Sequence, residues 1–181
     1  MNSKRFLRCI LFAALMIGLV PAAMMAAEGE PSIQVNGEVT EATNITIDNE
    51  GTNTITITGD VTLTGSGDAF TINADTELVF AEGASLTFTG YDNAFVIENG
   101  TLSGGGWHII DGDGLDLFRL KTGSTLDITS DVDFDGNGVG NTASRAIVLP
   151  GGGAQDQAVI VANGATLHAN DFYRGIETGA A

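Results

Sequence analysis

The chain is 181 residues long and strongly acidic, with seven basic residues against 23 acidic ones and a formal net charge of −16. This excess disfavours nucleic acid, anionic membrane surfaces and acidic polysaccharides as partners, because binding them needs clustered Lys and Arg. The single cysteine, Cys9, excludes an internal disulfide framework, so we expect one domain held together by its own apolar core.

The first 27 residues have the three-part layout of a secretory signal peptide. Three basic residues precede an apolar run from Cys9 to Val20, and small residues follow. The run has about twelve residues, fewer than the roughly 20 that span a membrane. We therefore predict a cleaved signal peptide over residues 1–27, export to the cell surface or extracellular space, and no membrane insertion of the mature chain. The mature chain would keep four basic and 23 acidic residues, a net charge of −19.

Residues 28–68 are rich in threonine and contain short alternating runs such as "TITIT" and "DVTLT". Similar runs of four to six residues, bounded by Gly, Asn or Asp, continue along the rest of the chain. This pattern is typical of β-strands, and no comparable stretch has helical spacing. We predict an all-β mature protein in which residues 28–68 form the first coils of a repeating fold or a cap on it.

Residues 69–181 carry a phased repeat. The phrases "DAFTI", "NAFVI", "DLFRL", "RAIVL" and "RGIET" place an apolar residue at the same position each time, at spacings of 25, 23, 29 and 29 residues. A repeat of this length predicts a solenoid of about six coils, in which these residues stack into an internal ladder. An antiparallel sandwich or barrel, the main alternative, would not explain the phasing. The five ladder residues are Phe70, Phe95, Phe118, Ile147 and Ile176.

Glycine residues interrupt the alternating runs of the repeat in segments such as "LVFAEGASLTFTG", which begins at Leu78. Gly83, Gly100, Gly123 and Gly164 each separate two alternating runs. We predict that they lie at corners of the coils, where a positive φ costs glycine little.

The stretches "AFVIENGTLSGGG" and "VIVANGATLHAND" resemble segments of right-handed parallel β-helices of the pectin-lyase-like kind, as in bacterial surface adhesins and autotransporter passengers. The resemblance covers residues 69–181 well. It implies a right-handed parallel β-helix and a non-enzymatic surface protein that contacts glycans or proteins on host or neighbouring cells. Because such proteins have more coils and a membrane barrel or wall anchor, we also expect this chain to be a truncated fragment.

Two alternative functions stay open: a secreted polysaccharide lyase or hydrolase of pectate-lyase architecture, and a structural spacer for a missing C-terminal domain. An enzyme of the first kind would need available cations or paired aspartates. Arg119 and Lys121 are expected at ordinary solvent positions on a strand. Asp111 and Asp113 in "DGDG" have the residue types of a glycosidase pair, but a glycine turn is their expected role. We predict no catalytic residue and no enzymatic activity.

Two acidic stretches resemble calcium loops. In "DVDFDGNG", Asp131, Asp133 and Asp135 match the first half of a D-x-D-x-D-G loop, but Thr142 stands where the bidentate Glu belongs. The intervening residues are apolar, as in a strand whose carboxylates face outward. The stretch "GDGLDLF" matches one copy of a motif that works in tandem copies. We assign no cofactor-binding and no metal-binding residue, and calcium is the one cofactor left to test.

Several surface features remain. The Thr-x-Thr pairs between Thr54 and Thr89 would order water, as in ice-binding solenoids, only at coil spacing, which their positions do not indicate. Trp107 is expected in the core or at a corner rather than stacked on a sugar. Asn44 and Asn99 head N-x-T sequons. The segments "DGNGVGNTAS" and "PGGGAQDQ" are the predicted contact sites, because a core does not need their length or composition.

Overall fold

The computed structural model describes residues 32–136, 144–150 and 156–179. Within these ranges the chain forms 18 short strands and one 3-10 turn, Ala42–Asn44, so the described protein is all-β as predicted. The predicted signal peptide lies outside the described residues. No helix in the described part of the chain is long and apolar enough to cross a membrane.

The strands form an N-terminal turn and five coils, each with three strands. The turn contains β1 (Ile33–Val35), β2 (Glu38–Thr40) and β3 (Ile45–Asp48). Coils 1 and 2 contain β4 (Thr54–Ile57), β5 (Val61–Thr64), β6 (Asp68–Ile72), β7 (Thr76–Phe80), β8 (Leu86–Thr89) and β9 (Asn93–Ile97). Coils 3 and 4 contain β10 (Gly100–Gly105), β11 (His108–Asp111), β12 (Asp116–Leu120), β13 (Ser124–Ile128), β14 (Val132–Asp135) and β15 (Arg145–Leu149). Coil 5 contains β16 (Ala158–Val161), β17 (Leu167–Asn170) and β18 (Arg174–Thr178).

Each coil contributes one strand to each of three six-stranded sheets. The first sheet has the order β1-β6-β9-β12-β15-β18, the second β16-β13-β10-β7-β4-β3, and the third β17-β14-β11-β8-β5-β2. Neighbouring strands of successive coils are parallel. Stacked parallel strands of this kind form a β-solenoid, in which each coil buries its apolar side chains against the next coil.

The predicted ladder runs through the first sheet. Phe70 lies opposite Phe95, Phe95 opposite Phe118, Phe118 opposite Ile147, and Ile147 opposite Ile176. The rings of Phe70 and Phe95 stack with their centroids 4.9 Å apart, and those of Phe95 and Phe118 with theirs 5.2 Å apart. The predicted stacking is therefore confirmed. The last rung differs in burial, because the described residues place no coil over Ile176, which is 55% exposed.

The predicted corner glycines all have positive φ, between 77° and 89°. Gly100 shows the clearest requirement, since a Cβ there would lie 2.7 Å from the backbone of Ala74 and Asp75 in the preceding coil. A larger residue at this corner would combine backbone strain with a clash. Glycine is thus needed where the chain passes close to the coil before it.

The N-terminal turn departs from the predicted parallel stacking. β1, β2 and β3 pair antiparallel with β6, β5 and β4. The turn passes through the sheets in the order first, third, second, whereas each coil passes through them as second, third, first. The turn is therefore wound in the opposite sense, because the chain reverses in the hairpin that joins β3 to β4. The expectation of about six coils is corrected to five coils and one counter-wound turn.

The exposed edge of β1 is covered by a side chain. The Ile33 N–H donates to Asn49 Oδ1 at 2.7 Å, and Asn49 Nδ2 donates to the Ile33 carbonyl at 3.0 Å. The Asn49 amide thus takes the place of a further strand at Ile33. Unpaired backbone groups on an edge strand invite association with other strands, so this contact protects the N-terminal end of the solenoid.

Candidate functional site

The outer face of the third sheet carries an open groove of about 280 Å³. It lies over coils 3, 4 and 5, where the chain enters β11, β14 and β17. Its polar side chains come from Asp131, Asp133, Thr166 and His168, and its floor includes Gly106 and Val132. The groove is slightly smaller than the roughly 300 Å³ at which small-molecule sites begin, so it suits part of an extended ligand better than an enclosed small molecule.

Two carboxylates of the groove are hydrogen-bonded to the next coil. Asp131 Oδ1 accepts a hydrogen bond from the Thr166 N–H at 2.7 Å, and Asp133 Oδ1 accepts one from Asn170 Nδ2 at 3.1 Å. The residues between the three aspartates, Val132 and Phe134, are buried, which confirms the predicted alternation along this strand. The aspartates therefore follow one strand, as the alternation in the sequence favours, and calcium, for which no ligand residue was assigned, stays untested there.

The coil register brings together both histidines of the chain. His108 on β11 lies opposite Asp133 on β14, and Asp133 lies opposite His168 on β17. All three side chains are exposed on the outer face of the third sheet. We call these residues the histidine row. In the described ranges, no group of three or more His, Cys, Asp or Glu residues could hold a metal ion.

A second cluster of charges lies on the first sheet. Arg145 binds Asp116 through two hydrogen bonds, from Nε to Oδ1 at 2.6 Å and from Nη2 to Oδ2 at 2.9 Å. Arg145 Nη1 also donates to Glu177 Oε2 at 3.2 Å, and Arg174 Nη1 lies 2.8 Å from Glu177 Oε1. Arg119 Nη1 lies 3.5 Å from Asp116 Oδ2. These five residues, the arginine network, connect coils 3, 4 and 5.

Burial and positive charge have opposite effects on the pKa of Asp116 in the arginine network. Burial raises the pKa of Asp116, and the hydrogen bonds and positive charge of Arg145 oppose that rise. Hydrogen bonding to Asp116 raises the pKa of Arg145, while hydrogen bonding from Arg145 lowers the pKa of the half-buried Glu177. The pairing with Arg145 therefore offsets part of the cost of burying the Asp116 carboxylate.

The remaining cation, Lys121, lies 3.8 Å from Glu98, from Nζ to Oε1. All four basic residues in the described ranges thus have a carboxylate partner. Arg119 and Lys121 occupy partly exposed positions on or beside the first sheet, in keeping with the surface role that the sequence suggests. Their positive charges are already matched by carboxylates of the same protein, and an acidic sugar would have to compete with those carboxylates.

Asp111 stabilises the corner between β11 and β12 by hydrogen-bonding to its backbone. Its side chain is fully buried, and its carboxylate accepts backbone N–H groups from Asp113, Gly114 and Leu115, at 2.9 Å, 2.6 Å and 3.1 Å. Burial raises the pKa of Asp111, and the three hydrogen bonds counteract the rise. The "DGDG" stretch is therefore the glycine turn that the sequence favours, with one aspartate holding the backbone and the other, Asp113, exposed.

Trp107 belongs to the core. It is 1% exposed, and its Nε1 donates to the Leu78 carbonyl at 2.8 Å. Its ring lies 6.0 Å from that of Phe118 and 6.5 Å from that of Phe134, between centroids. The predicted core position is confirmed, and the indole face is not available to a sugar.

The threonine rows differ from the prediction. Thr62 lies opposite Thr87 and Thr64 opposite Thr89, so two Thr-x-Thr pairs do lie at coil spacing on the third sheet. The expectation that they would not was wrong. In coil 3 this position is taken by Ile110, so the two-coil array of threonines ends there.

The two sequon asparagines differ in environment, and the two predicted contact segments lie mostly outside the described residues. Asn44 donates its side-chain amide to the Asp60 carbonyl at 3.1 Å, whereas Asn99 is exposed at the corner between β9 and β10. Most of the two glycine-rich segments, residues 137–143 and 151–155, lies outside the described residues. Their predicted role in contacts is therefore untested.

Comparison of the chain with protein-family models, with curated proteins and with solved structures finds no match. The β-solenoid is therefore established by strand pairing and register alone. The pectin-lyase-like and adhesin-like character suggested by the sequence remains a proposal about function.

Proposed function

We propose that this chain is an exported, non-enzymatic surface protein of the adhesin or autotransporter-passenger type, which contacts glycans or proteins on host or neighbouring cells. The observation that carries the proposal is the open groove on the third sheet. Its carboxylates, hydroxyl and imidazole match the hydroxyl groups of a sugar chain as hydrogen-bonding partners. The features of residues 1–27 support export, and the absence of cysteine after residue 27 leaves the fold independent of disulfide chemistry.

Charge narrows the class of ligand. Asp131 and Asp133 line the groove, and the whole chain is strongly acidic. An acidic glycan would be repelled, whereas a neutral or amino-bearing glycan would not. We therefore favour neutral or cationic polysaccharides over pectin, alginate or chondroitin.

A glycan array tests the proposal directly. The purified chain is expected to bind a subset of neutral or amino glycans, and the Asp131→Asn and Thr166→Ala variants are expected to weaken that binding about tenfold, the loss of roughly one good hydrogen bond. Glu77→Gln, an exposed change on the second sheet, is the matched control and should bind like the parent chain. Absence of binding to any glycan or cell surface would count against the proposal, and sugar release from an acidic polysaccharide would favour the lyase alternative.

A further inference from the structure

The chain contains four Asn-Gly pairs, and asparagine followed by glycine is the dipeptide most prone to spontaneous loss of the side-chain amide. The reaction needs no enzyme, because the backbone nitrogen of the glycine attacks the side-chain carbonyl carbon of the asparagine. Glycine favours the attack, since it has no Cβ to hinder the approach. Three pairs lie in the described ranges, namely Asn36–Gly37, Asn99–Gly100 and Asn163–Gly164, and the pair at residues 137 and 138 lies outside them.

We propose that Asn163 is a site of spontaneous deamidation in the folded protein, whereas the fold protects Asn36 and Asn99. At Asn163 a bond forms between Gly164 N and Asn163 Cγ, the bond from Cγ to Nδ2 breaks, and ammonia leaves with the proton of the Gly164 N–H. The product is a five-membered succinimide ring. Water then opens the ring at either carbonyl and leaves aspartate or isoaspartate, in which the main chain continues through Cγ.

The corner between β16 and β17 leaves both reacting residues accessible. Asn163 and Gly164 are exposed, in a turn that the Ala165 N–H closes by donating to the Ala162 carbonyl at 3.0 Å. Gly164 has a φ of 89°, and an added Cβ there would meet no atom within 4 Å. Among the described residues, the Asn163 side chain and the Gly164 N–H have no hydrogen-bond partner. The two groups can therefore approach each other without losing a hydrogen bond of their own.

Coil 5 also has room for this corner to move. Within the described residues no coil lies over it, and Ile160 and Val161, just before the corner, are 49% and 42% exposed. Formation of the ring rotates the Asn163 backbone, and in a coil with one neighbouring coil this rotation displaces few contacts. Segments with few buried contacts open locally at a low cost in free energy.

Asn36 has the opposite environment. Its Nδ2 donates to the Ser66 carbonyl at 2.9 Å, and its backbone N–H donates to the Ala69 carbonyl at 2.9 Å. Its own carbonyl accepts the Tyr91 hydroxyl at 2.6 Å, and that hydroxyl lies against Gly37. These hydrogen bonds restrain both the side chain and the backbone of Asn36. Ring formation at this pair has to break some of them first.

Asn99 is exposed, but its glycine is held between coils. Gly100 begins β10 and pairs with Ser124 of the next coil. On the other side, an added Cβ at Gly100 would lie 2.7 Å from the backbone of Ala74 and Asp75. The Gly100 backbone has little room to turn while these coils stay stacked, so we expect slow reaction at this pair.

Reaction at Asn163 would alter the groove on the third sheet. Thr166, three residues later, donates its N–H to Asp131 Oδ1 at 2.7 Å, and its carbonyl accepts the Val132 N–H at 2.9 Å. Isoaspartate adds one atom to the main chain of the corner, which displaces the residues before β17 from these partners. Either product also adds a negative charge to the corner. We therefore expect isoaspartate at this position to loosen the part of the groove that coil 5 supplies.

Ageing of the full chain at mildly alkaline pH tests the assignment. Mass spectrometry of digested samples should show the change from amide to acid in the Asn163 peptide at least about tenfold faster than in the Asn36 peptide, the effect of one or two hydrogen bonds that must break first. The Asn163 peptide should also become a substrate for an isoaspartyl methyltransferase. Asn163→Gln is the control and should not change, since glutamine would have to form a six-membered ring. In urea, where the chain is unfolded, the difference between the pairs should disappear.

Similar rates at Asn163 and Asn36 in the folded chain would overturn the assignment. An unchanged Asn163 peptide, under conditions in which the unfolded chain reacts, would overturn it as well. The effect on the groove has a separate measurement, because exchange of the Thr166 and Val132 amides should be about tenfold faster in the aged chain than in the fresh one. Aged Asn163→Gln should exchange like the fresh chain, and equal exchange in a chain that contains isoaspartate would refute the effect on the groove.

Discussion

At the scale of single residues, Asp116 is a buried carboxylate whose charge depends on one arginine. Its side chain is 5% exposed, and Arg145 supplies the two hydrogen bonds that compensate its charge. Replacing Arg145 by Gln leaves a buried carboxylate without its main cation. We expect the free energy of unfolding at pH 7 to fall by about 3 kcal/mol, the cost of breaking a buried pair from one side.

The same Arg145→Gln variant should depend on pH in a defined direction. Without Arg145, burial raises the folded-state pKa of Asp116 further above its unfolded value near 3.8. A raised carboxyl pKa penalises the folded state as pH rises through that window, so the stability deficit should be small near pH 4 and largest at pH 7. Urea denaturation at both pH values measures this difference. An equal deficit at the two values would contradict it.

Arg174→Gln is the matched control for that prediction. Its guanidinium contacts only Glu177 within the arginine network, and its side chain is 50% exposed. Exposed pairs contribute between zero and about 1 kcal/mol. This variant should therefore lose less than about 1 kcal/mol, with little change between pH 4 and pH 7.

The residues that sequence reasoning located differ in kind from those it missed. The ladder from Phe70 to Ile147 was predictable because residues that stack in one interior are apolar and recur at the spacing of the coils. Thr62 and Thr87 were also within reach, since their spacing of 25 residues equals that of Phe70 and Phe95. The same spacing of 25 residues pairs His108 with Asp133, but the 35 residues from Asp133 to His168 exceed every spacing of the apolar ladder, so nothing in the sequence indicated that His168 lies beside them.

At the scale of elements, Tyr91 adds a side-chain contact between the N-terminal turn and the coils to the strand pairing of β1, β2 and β3. The hydroxyl of this buried residue donates to the Asn36 carbonyl at 2.6 Å, at the corner between β1 and β2. Its ring packs edge-on against Phe88, with centroids 6.2 Å apart. A Cβ at Gly37 would overlap the hydroxyl, so glycine is required where the turn meets the ring. Tyr91 thus connects coil 2 to the N-terminal turn, which is wound in the opposite sense.

Tyr91→Phe should loosen the turn without unfolding the coils. The change removes one buried hydrogen bond and keeps the ring, so we expect a loss of about 1 kcal/mol. Hydrogen exchange of amides in β1 and β2 should accelerate, while exchange in β9 and β12 should not. Tyr173→Phe is the control, since Tyr173 is 55% exposed, and its effect should stay within about 0.5 kcal/mol. Parent-like exchange in the turn of the Tyr91 variant would show that the hydroxyl does not hold it.

Strand existence was easier to predict than strand direction. Alternation in "TITIT" and "DVTLT" has a period of two when read from either end, so it indicates a strand but not which way it runs. The direction of β1, β2 and β3 is set by the hairpin after Asp48. Because the corners between strands vary in length, a single reversal of chain direction leaves no mark on the spacing of the alternating runs. The sequence therefore left two alternatives for residues 28–68, the first coils or a cap, and the direction of the strands there could not be read from it.

At the scale of the whole molecule, the two described ends of the solenoid differ. The first coil is covered by the counter-wound turn, and its residues Ile55 and Leu63 are fully buried. In coil 5, Ile160 is 49% exposed and Val161 is 42% exposed. Because each coil contacts only its neighbours, stability in a solenoid is a sum of local interfaces. Within the described residues, coil 5 has an interface with one neighbouring coil, supplemented by the arginine network, and coil 1 has interfaces on both sides.

This difference predicts a gradient of local stability along the 181-residue chain. The amide of Gly179, which donates to the Leu149 carbonyl, and that of Ala162, which donates to the Ile128 carbonyl, should exchange through local opening of coil 5. The amides of Lys121 and Ala81, which donate to carbonyls of coils 2 and 1, should exchange only on global unfolding. Native-state hydrogen exchange at increasing denaturant separates the two classes, because local opening depends weakly on denaturant. Equal protection in coils 1, 3 and 5 would show that all the coils unfold as one unit, since a sum of local interfaces cannot then account for the measured exchange.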